Sequence, residues 1–420
     1  MTDTARSTPP NMTLKIGLKV FLPFAFGYFL SYLFRVVNAV IAPDLTADLG
    51  LGAGTLGLLT AAYFLTFAAF QLPLGILLDR YGPRRVEAVL LIFAAIGAAL
   101  FAWADSVQSL IIARALIGFG VSACLMASFK AYVMWFPLDK LPLVNGFQLA
   151  AGGLGAMTAT APVEMALSYT DWRGIFWILS GVTIAAAALI FSTVPERDAG
   201  NQNARFKQDF SGVIHVFQSP IFWRIAPLTV LSQSAFLALQ TLWVGPWMMD
   251  VLALGRHQAA LNLFWISASM IAGFLGWGIL SERVHKIFDI GPMTISAVAM
   301  GLCSVSLLVL SLGLADQYPT LALGTWMMFS FCGAGGVLSY AALSQAFPHN
   351  MAGRVNTALN LLVFVMAFTS QWLVGAVLDL WPTRGAGIYD VAGYHTAFLI
   401  LFGAQVLGLG WFLVRRSVRV

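Results

Sequence analysis

The sequence predicts an all-α membrane protein of twelve transmembrane helices, arranged as two pseudo-symmetric six-helix bundles. Three observations carry this prediction: recurring apolar runs, a scarcity of charged residues, and a short charged turn that is repeated about half a chain later. Of the 420 residues, 59% are hydrophobic and only 10% are charged, whereas soluble domains carry about 25% charged residues. So few charges would not keep a soluble protein dispersed, and the composition therefore excludes that class.

The apolar runs are each long enough to cross a bilayer. A membrane-spanning helix needs about 20 predominantly apolar residues, and at this length only a helix satisfies its own backbone hydrogen bonds in lipid. The predicted limits are 18–42, 53–78, 86–104, 108–136, 143–167, 173–194, 222–250, 258–280, 289–313, 319–346, 354–380 and 393–414.

Lysine and arginine are distributed unevenly over the connections between these runs. An even number of spans places both termini on one side, which holds 17 of the 23 basic residues, while 3 lie on the opposite side and 3 inside helices. Positive residues concentrate in cytoplasmic loops. We therefore predict a multi-pass protein of an inner or plasma membrane with both termini in the cytoplasm. The basic residues form no continuous patch, so no nucleic-acid partner is expected.

The longest polar connection follows the sixth run and divides the chain into two similar halves. It comprises 195–221. We predict a cytoplasmic linker there, between a first bundle at 18–194 and a second bundle at 222–414. Cytoplasmic tails at 1–17 and 415–420 complete the chain.

No catalytic or metal-binding constellation is present in the sequence. The three cysteines, Cys124, Cys303 and Cys332, all lie in apolar runs, where they are expected to be small packing residues. The five histidines are scattered, and there is no phosphate-binding loop. We therefore expect no enzyme, no cofactor, no metal and no direct use of ATP.

A charged turn punctuated by glycines follows the second run. It reads Gly-Ile-Leu-Leu-Asp-Arg-Tyr-Gly-Pro-Arg-Arg over 75–85, and a weaker copy at 278–283 ends in Glu282 and Arg283. Both copies place an acid four residues after the glycine and an arginine five residues after it. Internal repeats with a site between them are a recurring plan among transporters.

The first copy resembles the signature turn of the major facilitator superfamily in Gly75, Leu77, Asp79, Arg80, Gly82, Arg84 and Arg85. The resemblance implies alternating access, in which two bundles rock about a central site. It also implies that the acid of the turn faces the start of the eleventh helix, whose positive end attracts it. The residues assigned to gating are Gly75, Asp79, Arg80, Gly82, Arg84, Glu282 and Arg283. The alternative is a charged turn that only fixes topology.

A polar stripe runs along the first helix, within an otherwise apolar run. Tyr28, Tyr32, Arg35 and Asn38 follow steps of three and four residues and so share one face. An arginine at mid-membrane costs about 2.5–3.5 kcal/mol and must face the protein interior or water. Because a guanidinium binds a carboxylate through two hydrogen bonds, we predict substrate contact. The alternatives are bonds to backbone carbonyls or extension of the side chain to the membrane surface.

The same residues resemble the anion:cation symporter branch of the superfamily, which carries organic acids. The pattern is Tyr-x-x-Arg-x-x-Asn, ending at Asn38, and Lys130 stands where a basic residue is usual in the fourth helix. The chain departs from the branch at Phe34 and Val121, which occupy the positions of acids that are its expected proton carriers. Coupling through those two positions is therefore not expected.

The second half has no deeply placed charge, and its predicted contribution is neutral. The seventh helix carries Gln240, Trp243 and Trp247 at helical steps, and the eleventh carries Asn360. We predict that these side chains complete the substrate site. Packing or interfacial anchoring is the alternative for the tryptophans.

Three further charged residues are predicted to act in coupling, each with a structural alternative. Arg114 could couple movements of the halves or pack helices together. Lys130 could guide an anion or extend its side chain to the membrane surface. Glu164 could carry a proton or be solvated near the outer end of the fifth helix.

Together these features predict a monomeric secondary transporter of a small organic anion, coupled to H⁺ or Na⁺ by symport. An exporter of amphipathic small molecules or drugs, working by antiport, is the alternative. A receptor on the same scaffold would require a large additional soluble domain, which the sequence lacks.

Overall fold

The computed structural model describes residues 14–137, 140–197, 214–348, 351–383 and 388–415, and within these ranges it contains helices and no strand. A five-residue π-helical segment, Leu239–Trp243, interrupts the helical stretch Pro220–Asp250. The helices are α1 Leu14–Val36, α2 Asn38–Leu49, α3 Ala53–Trp103, α4 Val107–Gly120, α5 Cys124–Trp135, α6 Leu141–Thr158, α7 Ala161–Ala166, α8 Trp172–Thr193, α9 Pro220–Ala238, α10 Val244–Asp250, α11 Arg256–Phe288, α12 Pro292–Ser311, α13 Pro319–Ala334, α14 Val337–Gln345, α15 Ala352–Leu378 and α16 Val391–Val414.

These helices form twelve transmembrane spans, which confirms the predicted fold class. Ten stretches are long and apolar enough to cross a membrane. One of them, α3, contains two spans, because the backbone at Gly82 is left-handed (φ 78°) and interrupts the helix. Only glycine adopts that conformation without strain. The pair α6 and α7 supplies the remaining span.

We number the spans in chain order. Span 1 is α1 with α2; spans 2 and 3 are the arms of α3 at 53–81 and 83–103; span 4 is α4 with α5; span 5 is α6 with α7; span 6 is α8; span 7 is α9 to α10; span 8 is α11; span 9 is α12; span 10 is α13 with α14; spans 11 and 12 are α15 and α16. We call the end where span 1 begins the terminal face and the opposite end the distal face. Odd-numbered spans run from the terminal to the distal face.

Every third span, beginning with span 1, is interrupted near its middle. Span 1 breaks at Val37, span 4 at 121–123, span 7 at its π-helical segment, and span 10 at Gly335 and Gly336. Such breaks change the direction in which the following side chains point, and π segments occur frequently at functional sites. Spans 1, 4, 7 and 10 are therefore the spans in which helical periodicity predicts side-chain direction least well.

The two bundles meet along three pairs of spans, 2 with 11, 5 with 8 and 1 with 7. At Gly375 of span 11, a Cβ atom would lie 2.3 Å from the carbonyl oxygen of Ala53 in span 2. The absence of a side chain there allows the two backbones to approach closely. Spans 2 and 11 can consequently form a tight seam between the bundles.

Several predicted boundaries need correction. The helix of span 8 continues to Phe288, so Glu282 and Arg283 lie inside a helix and not in a turn. Glu282 pairs with Lys286 one helical turn later, at 2.5 Å. Helix α1 begins at Leu14, within the predicted tail. Most of the predicted linker, 198–213, lies outside the described residues.

Candidate functional site

A cavity of about 210 Å³ lies between the two bundles. It is lined by spans 1, 2, 4, 5, 7, 8, 10 and 11, so both bundles contribute to it. Its volume is smaller than the roughly 300–1,000 Å³ that sites for drug-sized ligands occupy. Its polar lining residues are Tyr28, Ser31, Tyr32, Arg35, Gln71, Ser122, Gln233, Tyr340, Asn356 and Asn360.

Arg35 is the one charged side chain among the described residues that line this cavity. It is 4% exposed, and its Cζ atom lies 4.4 Å from the ring centroid of Tyr32 and 5.4 Å from those of Phe67 and Phe364. No carboxylate in the described ranges pairs with it, and its Nε atom has no hydrogen-bond partner. A buried charge without a counter-ion is costly, and an anion in the cavity would relieve that cost.

A hydrogen-bonded chain crosses the cavity from one bundle to the other. The hydroxyl of Tyr340 donates to Asn360 Oδ1 at 3.2 Å, and Asn360 Nδ2 donates to Gln71 Oε1 at 3.3 Å. Gln71 Nε2 donates in turn to the carbonyl of Ser122 at 3.3 Å. Sequence reasoning included Asn360 and missed the other three. For Gln71 the sequence did contain a signal, because its polar side chain stands within the apolar run 53–78.

Four residues that the sequence placed in the site do not line this cavity. Asn38 donates to Thr60 Oγ1 at 3.0 Å within the first bundle. The other three are Gln240, which donates to Met270 Sδ at 3.2 Å, Trp243, which donates to the Gln371 carbonyl at 3.0 Å, and Trp247, whose ring packs against Trp326. All four residues lie farther toward the distal face than the cavity-lining residues of their spans, where the two bundles are in contact.

Arg114 lies between spans 4 and 1 in this structure. It is fully buried, and its Nη1 atom donates to the carbonyl oxygen of Phe34 at 2.9 Å. That carbonyl lies three residues before the break in span 1. Arg114 therefore fastens span 4 to the segment of span 1 that holds Arg35.

The signature turn makes its described contacts within the first bundle. Asp79 pairs with Lys130 of span 4, and Arg84 and Arg85 both pair with Glu196, which follows span 6. The resemblance implied a contact between Asp79 and the start of span 11. Among the residues that the structure describes, the ion-pair partner of Asp79 is Lys130 and not the start of span 11.

The distal face is closed by contacts between the bundles. The carboxylate of Asp379, which follows span 11, accepts hydrogen bonds from the backbone amides of Ala53 and Gly54 at 2.9 and 2.8 Å. These amides form the first turn of span 2, where an acid is favoured by the unpaired N–H groups and the helix dipole. We call this contact the distal clasp. The sequence showed only an acid at the end of an apolar run.

Two further contacts between the bundles accompany the distal clasp. Arg256 at the start of span 8 binds Asp44 of span 1 through two hydrogen bonds of 2.7 and 2.5 Å. Glu164 at the end of span 5 lies 3.1 Å from His257 Nδ1 of span 8. The structure thus joins the bundles at the distal face, and the cavity lies between that closure and the terminal face.

A buried carboxylate that the sequence analysis did not single out lies inside the first bundle. Glu87 of span 3 is fully buried, and neither of its carboxyl oxygens has a hydrogen-bond partner in the described residues. Its side chain lies against Gly27 of span 1. An ionisable residue within a transmembrane segment is by default a candidate for function.

Comparisons with known proteins agree with this architecture. A family model described as Major Facilitator Superfamily matches residues 24–371. The chain is 26% identical over 276 residues to a probable sulfoacetate transporter of Cupriavidus necator, a match that covers 62% of this chain and 63% of the relative. It is 24% identical to a hexuronate transporter of Escherichia coli K12, over 91% of this chain and 90% of the relative.

A solved structure shares the fold. It is a bacterial homologue of the human lysosomal transporter Spinster in an inward-facing, unoccupied conformation, with a TM-score of 0.76 and 15% identity. The match covers 96% of this chain and 97% of that one. At this identity the likeness concerns the fold alone.

Proposed function

Because the chain belongs to the Major Facilitator Superfamily, we propose that it is a transporter that moves a small organic anion across the membrane by alternating access. The observation that carries this proposal is Arg35, a buried guanidinium between the bundles with no acid paired to it among the described residues. A carboxylate can accept two parallel hydrogen bonds from such a group. The substrates in the names of two relatives, sulfoacetate and hexuronate, are organic anions.

In the proposed cycle the terminal face is cytoplasmic, as the distribution of lysine and arginine supports. The distal clasp closes the outer side in the state described. In the opposite state we expect Asp379 to release the first turn of span 2. Asp79 would then leave Lys130 and approach the start of span 11, where the helix dipole favours an acid.

We further propose symport with a proton or Na⁺. A membrane potential that is negative inside opposes the entry of an anion by about 2.3 kcal/mol per charge and 100 mV. Accumulation of an anion in the cytoplasm therefore requires a co-transported cation. The coupling residue is expected to be a carboxylate, and the described first bundle offers Glu87 and Glu164.

Transport in proteoliposomes tests the proposal directly. Purified protein is reconstituted, and uptake is followed for a panel of organic acids, each paired with its neutral amide of nearly the same shape. We expect uptake of at least one acid and none of its amide, with an inward pH or Na⁺ gradient increasing accumulation. Equal uptake of an acid and its amide would show that Arg35 does not select charge, and the proposal would fail.

The two carboxylates are distinguished by a matched pair of substitutions. We expect Glu87→Gln to abolish accumulation driven by a pH gradient while exchange of labelled for unlabelled substrate continues, because exchange needs no net proton movement. Glu164→Gln, which loses only a contact at the distal face, is expected to retain pH-driven accumulation. The measurement is uptake with and without a pH gradient for both variants. The reverse pattern would assign coupling to Glu164.

An exporter of amphipathic molecules is a second candidate, because phenylalanines form much of the cavity wall. Inverted membrane vesicles energised by a proton gradient separate the two functions. Extrusion of neutral or cationic amphipathic dyes that is unaffected by Arg35→Gln would favour the exporter.

A further inference from the structure

The charge of the residues that line the cavity limits the net charge of the substrate that can bind there. Arg35 is the one ionisable cation among the described lining residues, and no described lining residue is an acid. Lys130, the nearest alternative that the sequence suggested, is paired with Asp79. A second negative charge on the substrate would have no cation to face and would remain desolvated, which is costly. The cavity therefore suits a single negative charge.

Most other polar groups in the cavity are already occupied. Tyr340, Asn360 and Gln71 bond to one another across the bundles. Gln233 Nε2 donates to the carbonyl of Gly333 at 2.8 Å, and Asn356 Oδ1 accepts from Ser344 Oγ at 2.9 Å. Substrate hydroxyl groups would have to displace these bonds or stay unpaired, and an unpaired buried hydroxyl is unfavourable.

The groups closest to Arg35 are aromatic. The rings of Tyr28 and Tyr32 meet edge to face at 5.2 Å, beside the guanidinium. The rings of Phe67 and Phe364, one from each bundle, approach to 4.3 Å and lie at the distal end of the lining on their spans. Aromatic and aliphatic side chains continue along the cavity as Leu125, Met126, Phe129, Phe236, Leu237 and Phe274.

We propose that the substrate is a small monocarboxylate with an apolar body, aromatic or branched aliphatic, and without hydroxyl groups. This inference rests on the proposed anion transport and narrows it. Its carboxylate binds Arg35, and its body packs between Phe129 of span 4 and Phe274 of span 8. A polyhydroxylated acid of the hexuronate kind would find one charged partner and, beside the amide groups that are already bonded, the hydroxyl groups of Tyr28 and Tyr32 for its several hydroxyl groups.

The test measures binding to the purified full-length protein by calorimetry with four probes: benzoate, its neutral analogue benzamide, the dianion phthalate, and the polyhydroxylated acid galacturonate. We expect benzoate to bind at least about tenfold more tightly than phthalate or galacturonate, the size of effect that a mismatched group produces in a preformed site. Benzamide is expected not to bind. These comparisons use the unmodified protein and so do not depend on whether a variant folds.

Two substitutions in the wall and one outside it complete the test. Phe129→Ala and Phe274→Ala are each expected to weaken benzoate binding about tenfold, as removal of apolar contact area in a pocket does. Phe288→Ala is the matched control, because that ring is exposed at the end of α11, outside the cavity.

The outcomes separate this inference from the function on which it rests. If galacturonate binds as tightly as benzoate and Arg35→Gln abolishes both, the apolar-body inference is wrong while anion transport stands. If no anion binds or is transported, or if Arg35→Gln changes nothing, anion transport itself fails and the inference fails with it.

Discussion

Replacement of Arg35 by glutamine is expected to reduce the apparent affinity for the transported anion by at least about 30-fold, because a charge-assisted hydrogen bond contributes about 2 kcal/mol. The glutamine keeps a hydrogen-bonding group and most of the side-chain volume but removes the charge. Arg35→Lys keeps the charge and loses the paired geometry. We expect it to lie between the original protein and the glutamine variant. The measurement is concentration-dependent uptake in proteoliposomes.

A control separates loss of the site from loss of the fold. Removal of an unpaired buried charge also removes a destabilising group. Arg35→Gln is therefore expected to melt no lower than the original protein in detergent. Unchanged uptake by Arg35→Gln would remove the central argument for an anion site.

Replacement of Asp379 by asparagine is expected to open the distal face more often. The substitution removes the negative charge of the side chain that accepts hydrogen bonds from two backbone amides of span 2. Loss of such a helix-capping contact costs about 1 kcal/mol. This corresponds to about a fivefold increase in the open population. A cysteine placed at Ala39, which lies against Gly245 of the second bundle, reports the opening through its rate of labelling by an impermeant maleimide.

Asp316→Asn is the matched control for this measurement. Asp316 is also paired, to His395 at 2.8 Å, but both residues belong to the second bundle. Loss of that pair is expected to leave the labelling rate unchanged. The three native cysteines are buried and are replaced by serine in all variants compared. Equal labelling of the Asp379→Asn variant and its parent would show that the distal clasp does not hold the face closed.

The fold could be predicted because each span carries its own signal. Twelve apolar runs and the break at Gly82 are local properties of the chain, and lipid leaves the backbone of such runs no alternative to a helix. Tyr28, Tyr32 and Arg35 could be placed on one face for the same reason, since they precede the break in span 1.

The rest of the candidate site depends on contacts between distant parts of the chain. Gln71 and Asn360 are 289 residues apart, and no pattern near either one shows that they meet. Gln240 and Trp243 lie beyond the distal end of the cavity, and how far the cavity extends along span 7 is set by contacts between the bundles and not by the local sequence. Glu87 was not singled out because it stands second in the predicted run 86–104, directly after the charged turn, whereas the helix that resumes after Gly82 carries it into the bundle.

The missing counter-ion of Arg35 has an electrical consequence for the proposed transporter. Without substrate, the centre of the protein carries an uncompensated positive charge; with a monoanion bound, that charge is cancelled. In the proposed symport the co-transported cation restores one positive charge, so the membrane voltage would act on the loaded and the empty carrier alike, with about 2.3 kcal/mol per 100 mV for a charge that crosses the whole field. A negative interior would hold the empty carrier with its site accessible from the cytoplasm, the side opposite the distal clasp.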